Sequence, residues 1–149
     1  QFKLNSENET MNMLILDAKD GTIVSTFDKM GADEIMPMEL LVEGDFEASL
    51  KAYKALLKKD PKNRTVNEDN LNGWGYNYLS EGQTKIAQAI FKVNMMLYPK
   101  SSNVYDSYAE ACMKLGEIDL AIKNYKKSLS LDPENNNAKE FIKELEKMK

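Results

Sequence analysis

Not one histidine occurs among the 149 residues. That removes the usual general base near neutral pH, and with it Ser-His-Asp and Cys-His nucleophile pairs and histidine metal sites. A single cysteine, Cys112, excludes an internal disulfide, and its place in an apolar pattern fits a buried thiol rather than a reactive one. No apolar run approaches the roughly 18 residues of a membrane-spanning helix, and no signal-peptide core is present. An excess of basic charge is missing too: 20 basic against 24 acidic residues, net −4, leave no electrostatic footprint for nucleic acid or an anionic membrane. What is present, 42% apolar and 30% charged residues, belongs to an ordinary globular chain of one-domain size, able to bury about two thirds of its unfolded surface.

Prolines are scarce, four in all, and three of them recur in register with other residues. Gly44, Ser49, Tyr53 and Pro61 are followed by Gly82, Ala87, Phe91 and Pro99, and then by Gly116, Ala121, Tyr125 and Pro133. The first interval is 38 residues and the second 34. A small residue, an aromatic four positions on and a proline beyond it, repeating every 34 residues, mark a helix-turn-helix solenoid. Such arrays hold partners more often than they convert substrates.

The first 30 residues differ in kind. Met13-Leu14-Ile15-Leu16, then Asp17-Ala18-Lys19-Asp20-Gly21, then Thr22 to Phe27 read as strand, turn, strand. An isolated hairpin is marginal in water, so it is expected to pack on the helices or on a further sheet. The start at Gln1, without methionine, hints at a removed upstream segment. From Pro37 the period turns helical, with Pro37 in a first helical turn and Gly44 as a stop. Phe46 to Lys59 places Phe46, Leu50, Tyr53 and Leu57 on one apolar face. Arg64 to Asn67 supply the four extra residues of the longer interval and are expected in solvated loop. Leu71, Trp74, Gly75, Tyr78 and Leu79, then Ile86, Ala87, Ile90, Phe91 and Met95, form the next hairpin. Val104, Tyr105, Tyr108, Ala109 and Cys112, then Leu120, Ala121, Ile122, Tyr125 and Leu129, form the one after. A last helix near 137–148 turns Ala138, Phe141, Ile142 and Leu145 inward and its charges outward, as a cap does.

These residues resemble the tetratricopeptide repeat family over roughly residues 36 to 149. Leu71, Trp74, Gly75 and Tyr78 with Gly82, Ala87, Phe91 and Pro99 carry the likeness best. Tyr105, Tyr108, Ala109 and Cys112 with Gly116, Ala121, Tyr125 and Pro133 follow closely. Gly75 and Ala109 let the helices of a hairpin approach, Ala87 and Ala121 do so from the other side, and the aromatics fill the space beside them. The first unit departs, with Pro37 where a small residue is expected and Ser49 for alanine. The resemblance implies an all-α array of about two and a half to three helical hairpins plus a capping helix, with a small N-terminal β-hairpin. The division is 1–30 for the hairpin segment and 31–149 for the helical domain, its repeats near 31–63, 68–101 and 102–135. A narrower likeness runs from Asn67 to Tyr76 and on through Asn94 and Pro99, then from Asn103-Val104-Tyr105-Asp106-Ser107 to Leu131-Asp132-Pro133. It is to the C-terminal tail of some bacterial serine hydrolases of the β-lactamase-like or esterase type. It implies an exported protein of the bacterial periplasm or cell surface, with the catalytic domain upstream.

The motifs of that chemistry are absent from this sequence: no Ser-x-x-Lys, Gly-x-Ser-x-Gly, Ser-Asp-Asn or Lys-Thr-Gly occurs. Gly73-Trp74-Gly75 is too short for a phosphate loop and sits in a helical pattern. Asp132 to Asn137 lacks the spacing of a calcium loop. Asn8-Glu9-Thr10 and Asn63-Arg64-Thr65 are formal glycosylation sequons. No cofactor or metal is expected. In the resembled family the first helix of each hairpin lines a peptide groove, and those positions fall on Asn72, Tyr76, Leu79, Asn103, Asp106, Glu110, Met113 and Lys114. Asp106, Glu110, Glu140 and Glu144 make this surface acidic, which disfavours a carboxylate-ended peptide and favours a basic segment or the flank of a partner domain. The chain is thus expected to be a protein-interaction or accessory module without catalysis of its own. The alternative is the non-catalytic C-terminal part of a secreted serine hydrolase.

Overall fold

The computed structural model describes residues 36–63 and 66–148, and the backbone of two strands before them. The chain divides into two compact units, Gln1–Met36 and Pro37–Lys149. In the first, β1 (Met13–Leu16) pairs antiparallel with β2 (Ile23–Phe27), Met13 opposite Phe27, with a register irregularity between Ile15 and Leu16. The turn expected at Asp17 to Gly21 lies outside the described residues.

The second unit is helical: α1 (Pro37–Val42), α2 (Phe46–Lys59), α3 (Glu68–Ser80), α4 (Thr84–Leu97), α5 (Ser102–Lys114), α6 (Ile118–Leu131) and α7 (Asn136–Lys147). Each hairpin turns the same way. Gly44, Gly82 and Gly116 take φ of 91°, 77° and 76°, a left-handed conformation that only glycine adopts without steric cost. The following N–H then reaches back to a carbonyl five residues earlier: Asp45 to Leu40 at 2.8 Å, Gln83 to Tyr78 at 2.9 Å and Glu117 to Cys112 at 2.9 Å. This closure satisfies carbonyls that a helix end would otherwise leave without donors. Side-chain oxygens of Asp45, Asn67 and Asn135 accept the N–H of Ala48, Asn70 and Ala138 at 3.0, 2.8 and 3.0 Å, capping α2, α3 and α7.

Within each hairpin the two helices pack on each other, α4 packs on α5, and α6 on α7. The contact between α3 and α4 is set by Gly75. A β-carbon there would stand 2.3 Å from Cε1 of Phe91, inside the ring's own space, and Phe91 is fully buried. One repeat later Ala109 and Tyr125 hold the equivalent positions, both fully buried, and Tyr125 stacks on Phe141 of α7 with ring centres 5.4 Å apart. Cys112 is buried in the same cluster, as its place in the repeat requires.

The first hairpin meets the departures of its sequence with a different contact. Pro37 opens a helix of only six residues, and the buried hydroxyl of Ser49 donates to the Pro37 carbonyl at 2.6 Å. The two unusual residues thus satisfy each other. Both helices of this hairpin touch α4, and Lys92 of α4 lies 4.5 Å over the ring of Phe46. The lengthened connection, expected in solvated loop, carries one buried anchor: Val66 is fully buried, and the Tyr98 hydroxyl donates to its carbonyl at 2.6 Å. An apolar side chain in the insertion outweighed the general preference of insertions for solvent.

Replacing Gly75 by alanine is expected to cost about 1–3 kcal/mol by overpacking, read as a lower melting temperature, with part of the loss recovered when Phe91→Leu is added. An unchanged melting temperature in Gly75→Ala and in Ala121→Phe would contradict the assigned helix contacts.

Candidate functional site

By the 34-residue spacing Asn72, Asp106 and Glu140 are equivalent positions of α3, α5 and α7, as are Tyr76, Glu110 and Glu144, and α3 and α5 touch. Within each helix the two positions are four residues apart, so they share a face. Side chains join these first helices directly. The Tyr76 hydroxyl donates to Glu110 Oε2 at 3.0 Å and lies 3.3 Å from Ser107 Oγ, linking α3 to α5. Asp106 accepts from Asn135 Nδ2 at 2.8 Å and from Asn137 Nδ2 at 3.0 Å, linking α5 to the start of α7. Asn135 also reaches Ser128 Oγ of α6 at 2.9 Å while it caps α7.

The expected groove residues divide between this face and the packing beneath it. Tyr76 is 36% exposed, its ring edge set on Phe91 with centres 5.0 Å apart. Glu110 holds Lys114 at 3.7 Å across one helical turn. Asn103, exposed, reaches Glu68 Oε1 at 3.4 Å. Asn72 keeps a buried side-chain oxygen with no hydrogen-bond partner. Met113 and Leu79 are half-buried against the core cluster of α5 and α6, so they contribute more to the floor than to the surface. Sequence reasoning did not place Ser107, Tyr125, Asn135 or Asn137 in the groove; Tyr125 was read as a packing aromatic of the repeat. Asn137 could have been found, since it is the 34-residue equivalent of Asn103.

The electrostatics follow from partial burial. Burial raises the Asp106 carboxyl above its ordinary value, and the charge of Glu110 adds to the rise, while the N–H groups of Asn135 and Asn137 oppose it. Burial pushes the Tyr76 phenol up to about 12 and raises the Cys112 thiol. None of these groups is activated as a nucleophile, since a thiol or phenol reacts through its anion. Among the described residues no three acidic or cysteine side chains are placed to hold a metal ion, and no helix is long and apolar enough to cross a membrane.

Residues 102–135, which span α5 and α6, match the family model of the tetratricopeptide repeat. The curated proteins contain no match. Among solved structures the chain is similar to a mutant of MamA, at 19% identity and a TM-score of 0.59, over 75% of this chain and 79% of that one. It is also similar to the first TPR of Spaghetti (RPAP3) bound to the HSP90 peptide SRMEEVD, at 17% identity and a TM-score of 0.54, over 75% and 86% of the two chains. The Sgt2 TPR domain from Aspergillus fumigatus matches at 15% identity and a TM-score of 0.53, over 75% and 73%. Identities this low establish the fold: an all-helical array of tetratricopeptide-like hairpins.

The raised Asp106 pKa fixes the sign of a pH effect. A carboxyl whose folded value exceeds its unfolded one binds protons more tightly in the native state, so its ionised form costs stability that is relieved as pH falls. The native protein should therefore gain melting temperature relative to Asp106→Asn as pH drops through the raised value toward 3.8. A difference in melting temperature that stays flat across that range would contradict the burial of Asp106.

Proposed function

We propose that this chain is a protein-interaction module that holds an extended segment of a partner protein along the face shared by α3, α5 and α7, without catalysis of its own. The observation that carries this reading is the bridging of successive first helices by Tyr76 to Glu110 and by Asn137 to Asp106. These links fix donors and acceptors in place before any partner arrives, and a surface ordered in advance loses less freedom on binding. Tyr76 adds a half-exposed aromatic with a polar tip, a side chain type favoured at interfaces. The structurally similar first TPR of Spaghetti (RPAP3) was solved with the HSP90 peptide SRMEEVD, which supports peptide holding as work this fold performs. That peptide is rich in acidic residues, whereas Asp106 and Glu110 stand on the present face, so a different class of peptide is expected here.

A second proposal is that the helical stack steadies a catalytic domain of the same polypeptide, as in the serine hydrolase tails that the sequence resembles. An intact mass of the native product well above 17.0 kDa would favour it.

The test of the first proposal is selection of displayed random dodecapeptides on the purified protein, followed by titration of the winners. Affinity should fall at least tenfold in Tyr76→Ala and fall measurably in Asn103→Ala, while Lys85→Ala, on α4, binds as the parent does. Selected peptides that ignore both groove substitutions would refute the assigned face.

A further inference from the structure

The net charge of −4 conceals a division by helix. The first helices of the three hairpins, α1, α3 and α5, carry five acidic residues and one lysine, whereas the second helices, α2, α4 and α6, carry nine lysines and two acidic residues. All nine lysines are exposed. The repeat takes part in this, for Lys54, Lys92 and Lys126 are equivalent positions of α2, α4 and α6 by the 38- and 34-residue intervals. Among the described residues only Lys126 of the nine meets a carboxylate, that of Glu146 at 2.8 Å. Lys92 and Lys127 are set instead over the rings of Phe46 and Tyr105, 4.5 and 5.8 Å from their centres. Such contacts hold an ammonium in place without cancelling its charge.

Lys92 also stands at the rim of a cleft. A cavity of about 350 Å³ lies between the start of α2, the middle of α4 and the start of α6, walled by Phe46, Ala89, Leu120 and Tyr108. That is at the small end of the range of ligand clefts, about 300–1,000 Å³. Its polar atoms come from Lys92, Gln88 and Glu117. The Gln88 amide donates to Glu117 and to Cys112 Sγ, so the one carboxylate at the cleft is already engaged, while the Lys92 ammonium rests on a neutral ring. Lys123, exposed, follows Leu120 by three residues on α6, one turn along the same side.

We infer that this cleft and the lysines beside it form a second docking face, for an acidic segment of a partner protein. An apolar side chain of that segment enters between Phe46 and Leu120, and carboxylates flanking it meet Lys92 and Lys123. The face lies apart from the groove of the first helices and uses none of its residues, so it stands or falls independently of the function proposed above. Protein is favoured over nucleic acid for two reasons. No second helix carries an arginine, the residue best matched to phosphates and base edges. The Phe46 ring is covered by Lys92 rather than open for a base to stack on. Opposite charge on the partner relieves the mutual repulsion of the lysines and selects against basic competitors.

The test is fluorescence anisotropy of the whole chain with labelled dodecapeptides made of Glu-Glu-Leu, Gln-Gln-Leu or Lys-Lys-Leu triplets, and with a labelled oligouridylate of the same length. The acidic peptide should bind saturably, and the glutamine peptide and the uridylate at least tenfold more weakly. Lys92→Glu with Lys123→Glu should weaken the acidic peptide at least tenfold and bind the lysine peptide more tightly than the parent does, a gain that a misfolded protein would not show. Leu120→Ala should weaken the acidic peptide several-fold. Lys139→Glu with Lys143→Glu, the same change of charge on α7, should leave its affinity unchanged. No binding of the acidic peptide, binding that survives reversal of Lys92 and Lys123, or equal binding of the uridylate would overturn the docking face. A salt-sensitive dimer of the unliganded protein in sedimentation, abolished by the same reversal, would give the face to a second copy and overturn it as well.

Discussion

The helical unit depends on one steric constraint, the absence of a side chain at Gly75. With a prospective β-carbon position 2.3 Å from the Phe91 ring, α3 and α4 lie as close as their backbones and one aromatic allow. That contact does more than close a hairpin. The ring that fills the space beside Gly75 also meets the edge of Tyr76, the next residue along. The core thereby sets the position of the aromatic that reaches over to Glu110 on the following hairpin. Interiors packed to crystal-like density transmit such constraints, because no slack exists to absorb them. A residue chosen for packing thus fixes an exposed aromatic on the face proposed for binding.

The repeat applies this constraint with variations, and the variations distinguish the two halves of the helical unit. Ala109 and Tyr125 replace Gly75 and Phe91, adding a methyl group on one side and a hydroxyl on the other. Pro37 and Ser49 replace the small pair of the first hairpin and are joined by a hydrogen bond of 2.6 Å. The longer connection before α3 carries Val66 into the core under Tyr98, and α1 and α2 both touch α4. The described helices therefore form a regular pair of hairpins, α3 to α6, capped at one end by α7 and met at the other by a hairpin with its own contacts.

Much of this fold was legible because its signals are local and periodic. Phe46 and Lys59 bound α2 as the apolar spacing requires, and the glycines before Asp45, Gln83 and Glu117 ended helices where glycine stops are expected. Cys112 was placed in the core by its repeat position alone. The site was less legible, since most of its bonds join residues 29 to 35 positions apart, such as Asn135 with Asp106 and Asn103 with Glu68. Such bonds depend on rotamers that no short window of sequence encodes. The rows of Asn72 with Asp106 and Tyr76 with Glu110 were implied by the period, but Asn135 serving at once as helix cap and as donor to Asp106 was not. Burial of Val66 was missed because a loop insertion is read by its length and polarity, and only packing shows that one apolar side chain within it is anchored.

Under the proposed function, a face bridged by hydrogen bonds from neutral donors to the carboxylates of α5 sets its shape beforehand and lets charge select among partners. The most direct measurement is amide hydrogen exchange of the protein alone and with a saturating selected peptide. Slowed exchange concentrated on α3 and α5 around Tyr76, Asp106 and Glu110, with α4 and the outer side of α6 unchanged, is the predicted result. Protection confined to α4 and α6, or none at saturation, would contradict the assignment of the binding face to the first helices.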